Sequence, residues 1–540
     1  MRVLLINPPY SREERYGKDL GRFGPLNEPL GLAYVAASLE RAGHAASILD
    51  APALGIASED IPRHMEGRDY SIAGVTMLTP MYARSMEVVR TLRDAFPKIR
   101  IVVGGAHPTI LPRETMQGNR EIDFAVVGEG ERVMVALISA LERGGDLSHI
   151  QGLAYRIGDE VCVNSPAQPI PDLDDLPMPA RHLLPMHAYR MTRSRTRSSH
   201  AYTVSVARGC PFDCGFCCRI FGRKVRHHSV ARILEEIRML HERYGAREIN
   251  LEADTLTLNK AFILALCRGL LDSGLSREIS WTCESRIDTV SEEMLREMKR
   301  AGCWQISYGV ETGSQRLLDL IQKGTTLPRI EEVFALTKRV GITIRAFYML
   351  GLTTETREES LRTIAFARKL DARWSQFTLF TPFPGTDLYD LVVREGGLRS
   401  HNWEDFKTHG GWTSGGIAYV PKGRSPEEMK ALQKRAYRAM YLRPRVFVRL
   451  VKEVDSLEKL REYGMGLWVL VKTSFSAAPR EGDRVLKVPR EDLRNFAQGV
   501  YVDSPVYFSR NPVVRAINWG KLDATLALFP AGENGRVLDL

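Results

Sequence analysis

ARGCPFDCGFCCR, residues 207–219, crowds four of the chain's eight cysteines into positions 210 to 218. Cys210, Cys214 and Cys217 stand in C-x3-C-x2-C spacing, with Phe212 and Phe216 among them and Gly209 and Gly215 easing the backbone. Three thiolates at so short a range can face one soft metal centre, and [4Fe-4S] clusters are held by cysteine thiolates. Three ligands for four irons leave one iron open to bind and activate something, whereas a structural zinc site takes a fourth ligand and closes. Cys218 is a poor fourth ligand, because adjacent side chains diverge, which leaves His227 or His228 as the alternative fourth ligand for zinc. The reading favours a cluster over zinc. Cys162, Cys267, Cys283 and Cys303 lie singly in apolar segments and read as buried, inert thiols.

The loop follows the apolar run YTVSVAR. Five more such runs come after it: REINLEA, ISWTCES, WQISYGVE, TIRAFYMLG and WSQFTLFTPFPG, each preceded by a helical pattern such as VARILEEIRMLHERYG or EEMLREMKRAG. Six strands in strict alternation predict a partial (β/α)6 TIM-type barrel over residues 196–400, with its chemistry on the loops that follow the strands. Residues 1–150 also alternate short apolar runs with amphipathic segments, from VLLIN to IRIVVGG, and predict a Rossmann-like, doubly wound parallel sheet. Its crevice belongs at the strand C-terminal ends, which carry Asn7-Pro8-Pro9, Asp50, Thr79-Pro80, Gly104-Gly105 and Gly128-Glu129-Gly130-Glu131. A Pro- and Asp-rich connector occupies 151–195, and a mainly helical C-terminal domain is expected over 401–540, with no catalytic motif. The whole is an α/β chain.

At 540 residues, roughly two to four domains are expected. Hydrophobic residues at 44% and charged residues at 26% match globular averages and exclude disorder as the main state. No apolar run reaches the about 18 residues of a membrane span, and VLLIN is too short, and too soon followed by Pro8 and Pro9, to be a secretory signal. A reducing cytoplasm is therefore the expected compartment, where clustered thiols mean metal or catalysis more often than disulfides. The formal charge of +10 is spread along the chain, so a solvated basic surface accounts for it and nucleic acid is not the expected partner. The run RMTRSRTR, 190–197, reads as a basic linker face in preference to a contact for an anionic substrate.

CPFDCGFC resembles the cluster loop of radical S-adenosylmethionine (SAM) enzymes. That resemblance implies a [4Fe-4S] cluster on Cys210, Cys214 and Cys217, with the open iron chelated by SAM and reduction yielding a 5′-deoxyadenosyl radical. Phe216 stands where the family has an aromatic near adenine. SYGVETGS (307–314) resembles the family's fourth-strand segment, implying that Glu311 and Ser314 meet the methionine or ribose, and FYMLGL (347–352) resembles the fifth-strand stretch, with Gly351 beside adenine. DTLTLNK and ESRID put Asp254 and Arg286 toward the barrel mouth, as catalytic or substrate-proximal residues. The first domain is similar to the cobalamin-binding domain fused to many radical enzymes, through NPP, PLGLAYVAASLERAGH, VVGGAHPT and DFAVVGEGE. The cobalamin-side residues implied are Asn7, Pro8, Asp50, Thr79, Gly104, Gly105, Gly128 and Glu129. Members that replace the lower axial base carry D-x-H-x-x-G; here Asp50 and Gly55 keep the ends and Pro52 replaces the histidine, so that loop offers cobalt no ligand. His107 is a nearby imidazole, equally suited to a packed loop.

The chain is thus similar to cobalamin-dependent radical SAM methyltransferases and to anaerobic magnesium-protoporphyrin monomethyl ester cyclases. The first implies methyl transfer to an unactivated carbon or phosphorus of a small molecule, with flavodoxin or ferredoxin as electron donor. The alternative is radical cyclisation, oxidation or rearrangement with the same cofactors, and the motifs do not separate the two. A tRNA or protein methylthiotransferase would carry three cysteines in the N-terminal domain, yet none precedes Cys162. A cobalamin sensor would have no use for the cysteine loop.

Overall fold

The computed structural model describes residues 1–468 apart from 18–20, 22–23, 193–195, 409–415 and 453–462. The middle of the basic run at 190–197, and residues 469–540 of the expected C-terminal domain, lie outside the described residues.

The first sheet contains β1 (Arg2–Asn7), β2 (Ala45–Asp50), β3 (Ile72–Thr76), β4 (Arg100–Gly104) and β5 (Phe124–Val126), all parallel, in the order β2-β1-β3-β4-β5. Val3 to Ile6 and Ile101 to Val103 are almost wholly buried, because helices cover both faces and the strands can be apolar throughout. The order reverses between β1 and β3, which opens a crevice at the strand C-terminal ends. Two further strands, β6 (Leu153–Ile157) and β7 (Glu160–Val163), extend this sheet as an antiparallel hairpin. The sheet therefore runs past residue 150 into the segment read as connector. Its Tyr155 and Val161 pack into the same cores as the parallel strands.

The second sheet has six parallel strands in sequence order: β8 (Ala201–Ser205), β9 (Glu248–Glu252), β10 (Ser280–Ser285), β11 (Cys303–Glu311), β12 (Thr343–Leu350) and β13 (Trp374–Leu379). It is the expected partial barrel. Along β12 burial alternates strictly, which sets one face against the helices and leaves the other toward an open interior. Each connecting helix has its local start and stop signals. The helix α1 (Val230–Tyr244), for example, is capped by the Ser229 hydroxyl and ended by left-handed Gly245. Helix α2 (Pro426–Tyr441) covers the free edge of β13. The Tyr441 hydroxyl bonds both the N–H and the C=O of Ser375, and the Gln433 amide donates to the Phe377 carbonyl at 2.7 Å. An otherwise unpaired strand edge is satisfied in this way.

Buried ions join the two sheets. Arg181 donates to Glu28 at 2.8 Å, to Glu236 at 2.7 Å and to the Thr203 carbonyl at 2.5 Å.

Candidate cofactor site

The short strand Ala207–Arg208 pairs antiparallel with Arg226–His227 and clamps the base of the cysteine loop. Gly209 leaves that strand at φ +97°, and a Cβ added there would lie 2.3 Å from the Lys224 carbonyl oxygen. Glycine is required at that close approach. The Cys210 N–H donates to the Gly222 carbonyl and the Cys217 N–H to the Cys214 carbonyl, which folds the three cysteines over one another. Cys214 is buried and Cys217 is accessible overall, yet the Cys217 sulfur is crowded by protein atoms. Its thiol is pushed up to about 12, first by that desolvation and then by the neighbouring Cys214 and Cys210.

Three cysteines so placed, whose thiolates would repel one another, suit a positively charged inorganic group. Among the described residues no three Cys, His, Asp or Glu side chains converge as ligands of one ion do. In a cubane each cysteine takes a different iron, whereas a zinc site gathers its ligands on one ion. The Cys218 sulfur points elsewhere, donating to the Pro384 carbonyl at 3.4 Å.

Asp254 and Arg286, from the loops after β9 and β10, both grip the cysteine loop. The Asp254 carboxylate accepts the Gly209 N–H at 2.9 Å, and burial raises its pKa. Arg286 Nη1 donates to the Cys214 sulfur at 3.1 Å, and its guanidinium stacks 3.6 Å from the Phe212 ring centroid. Glu311 ends β11 with a left-handed φ of +67°, is buried, and accepts Lys323 Nζ at 2.6 Å. The same Lys323 lies 5.7 Å from the Phe216 ring centroid. Lys323 escaped the sequence reading, since a single lysine in IQKGTT carries no motif. Ser314 and Gly351 have structural partners already. The Ser314 hydroxyl donates to Glu359, while the Gly351 N–H donates to Glu355 and its missing side chain makes room for Met429.

A cavity of about 440 Å³ lies where the first sheet's crevice faces the cysteine loop. Of the eight cobalamin-side residues, Asn7, Gly104, Gly105, Gly128 and Glu129 line it, together with Pro52, and from the cysteine loop Arg208, Ile220 and Phe221. At Gly105, φ +112°, an added Cβ would lie 2.8 Å from the Met77 carbonyl oxygen, so glycine is needed there for packing within the protein, whereas a Cβ at Gly128 would meet open space.

Pro8, Asp50 and Thr79 are not among the lining residues. Asp50 is fully buried and accepts from Asn7 at 2.9 Å and Tyr189 at 2.6 Å. Burial raises its pKa, against those two bonds. Asp50 therefore orients Asn7. Thr79 bonds His107 Nδ1 at 3.2 Å, and His107 packs between Tyr82 and Trp403; burial alone pushes it down to about 4.

Glu129 spends its carboxylate on protein. It accepts from Arg208 at 3.2 Å, Arg226 at 2.9 Å and the Ile170 N–H at 2.7 Å, while Arg208 also binds Glu131 at 2.6 Å. Burial raises Glu129, but these donors outweigh it and hold the carboxyl below its ordinary range.

The B12 binding domain family matches residues 19–138 and the Radical SAM superfamily matches residues 204–367. An uncharacterized methyltransferase of Pyrococcus horikoshii is 35% identical over 457 residues, covering 84% of this chain and 95% of the relative. The chain belongs to the cobalamin-dependent radical SAM methyltransferase family. Family members use cobalamin, a [4Fe-4S] cluster and SAM. The anaerobic magnesium-protoporphyrin IX monomethyl ester cyclase of Rubrivivax gelatinosus is 28% identical, covering 72% of this chain and 69% of the relative. Among solved structures, the radical SAM methyltransferase TsrM from Kitasatospora setae, with cobalamin and a [4Fe-4S] cluster bound, has a TM-score of 0.61 at 18% identity and covers 81% of this chain and 85% of its own. That likeness establishes the fold. Among the described residues no helix is long and apolar enough to cross a membrane.

Proposed function

We propose that this enzyme methylates an unactivated carbon or phosphorus of a small-molecule or biosynthetic intermediate. In this reading Cys210, Cys214 and Cys217 hold the cluster. Phe216, Glu311 and Lys323 border the SAM site, and the 440 Å³ cavity takes part of the cobalamin. When bound, the cluster supplies the electron that cleaves SAM, and cobalamin carries the methyl group. One observation supports this most: strand ends of the first sheet and residues Arg208, Ile220 and Phe221 beside the cluster cysteines line one cavity. Two cofactors held on facing walls bring radical and methyl donor to one substrate, and holding reactants in register is what the protein contributes.

The residues' own tasks follow from their contacts. Lys323 neutralises Glu311 in a buried setting, and Asp254 fixes the first residue of the cluster loop. Pro52 lines the cavity where an imidazole would be needed, so that loop would offer a bound cobalamin no nitrogen ligand. An external one-electron donor of the flavodoxin or ferredoxin class reduces the cluster.

A second reading, oxidative cyclisation, draws on the similarity to the Rubrivivax gelatinosus cyclase. Anaerobic reconstitution with iron, sulfide and cobalamin, followed by metabolite profiling of a deletion strain, separates the two. Methylated product with S-adenosylhomocysteine supports methyl transfer; 5′-deoxyadenosine without methyl gain supports cyclisation.

A further inference from the structure

Arg286 is 6% exposed and held from four sides. Its Nε and Nη2 form a fork on Asp288 at 2.9 and 2.8 Å, and Nη2 also donates to the Lys323 carbonyl. The Phe212 face covers one side of the plane at 3.6 Å. With the fork fixed and the plane set, one N–H of Nη1 points at the sulfur of Cys214, 3.1 Å away. Substrate is not what this geometry addresses.

We infer that Arg286 raises the reduction potential of the cluster by donating a fixed, charge-assisted N–H bond to the thiolate of Cys214; this rests on Cys214 being a cluster ligand. The physical argument concerns the reduced state. One electron arrives from the external donor and adds a negative charge to the cluster and its thiolates. A cation hydrogen-bonded to one of those sulfurs in a water-poor setting stabilises that extra charge more than the oxidised state. Guanidinium keeps its proton throughout, so no proton moves with the electron. Asp288 orients the cation from the side away from the sulfur, which leaves the positive edge facing Cys214. A lysine would lack the planar fork and the stacking on Phe212, so it would hold the bond less firmly. Arg286 is thus a positioning and tuning residue, distinct from the three ligands.

The test uses the full chain, reconstituted anaerobically, with iron and sulfide counted and the cluster potential read by electron paramagnetic resonance during a redox titration. Arg286→Met is expected to retain wild-type iron while its reduction equilibrium falls about tenfold, which is a 59 mV lower potential for one electron. Arg286→Lys should fall in the same direction by less. An unchanged or higher potential in Arg286→Met with full iron overturns the inference. Should Arg286→Met fail to hold iron, Arg286→Lys decides: a lowered potential supports the inference and one equal to wild type overturns it. If the wild-type chain itself held zinc or no metal, the assignment of the three cysteines would fail instead, an outcome the iron count separates from the others.

Discussion

Cys210 and Cys218 lie in one loop, yet their surroundings give them opposite fates. Cys210 leaves the clamped base of the loop, with its N–H on the Gly222 carbonyl, whereas the Cys218 thiol is turned to the Pro384 carbonyl. Cys210→Ala is expected to lose both cluster and SAM cleavage, and Cys218→Ala to keep both, as measured by iron content and 5′-deoxyadenosine formation; equal loss would mean the wrong ligands are assigned. His107 gives a residue-level prediction of another kind. Burial holds it at about 4 in the folded chain, against an ordinary 6.5. Below 6.5 the unfolded chain binds the proton and the folded chain refuses it, so stability falls as pH drops from 6.5 toward 4, by about 3 kcal/mol in all. His107→Gln should lack that slope, so that urea unfolding of wild type and variant at several pH values converges in acid. A constant difference across the range would refute the buried, neutral state. The spacing of Cys210, Cys214 and Cys217 was readable because all three lie within one loop. The partners of Arg208 were not, since Glu131 and Glu129 lie 77 and 79 positions away in sequence.

Among elements, the six-strand alternation was legible because each strand is a short apolar run bounded by a helical period. The hairpin β6–β7 was missed because its strands are short, and one of them, LAYRI, ends on exposed Ile157. Pro- and Asp-rich sequence after it hid the sheet's true edge. The element that positions the cysteine loop is the strand Ala207–Arg208, which leads directly into it. Its Arg208, with Glu129, Glu131 and Arg226, forms a buried network. Removing one partner from such a network strands a charge without water, and costs about 3–5 kcal/mol. Arg208→Met should therefore lower unfolding stability by that order in urea titration. Arg63→Ala, which breaks an exposed pair with Asp60, should change it by less than about 1 kcal/mol. Because Glu129 titrates below its ordinary 4.5, the network's contribution is complete above that pH and is lost as pH falls through the depressed value. Similar costs for both variants would show that the buried network carries no special weight.

At the scale of the molecule, the two sheets meet at a cavity that neither completes alone, since Gly104, Gly105 and Gly128 come from one and Arg208, Ile220 and Phe221 from the other's cluster loop. A cofactor in such a cavity is bound by both halves, and ligand binding stabilises whatever must stay folded to hold it. At one hundred times its Kd a ligand contributes about 2.7 kcal/mol. If the walls act together, cobalamin added to the iron-free chain should slow amide hydrogen exchange at residues 104–107 and 128–131, and equally at 219–222 across the cavity. Protection confined to the first sheet would mean that the cluster loop closes over the corrin only once iron is in place. Protection at both walls without iron would mean that cobalamin by itself docks the loop, and that the radical site is assembled onto a chamber already shaped by the methyl carrier.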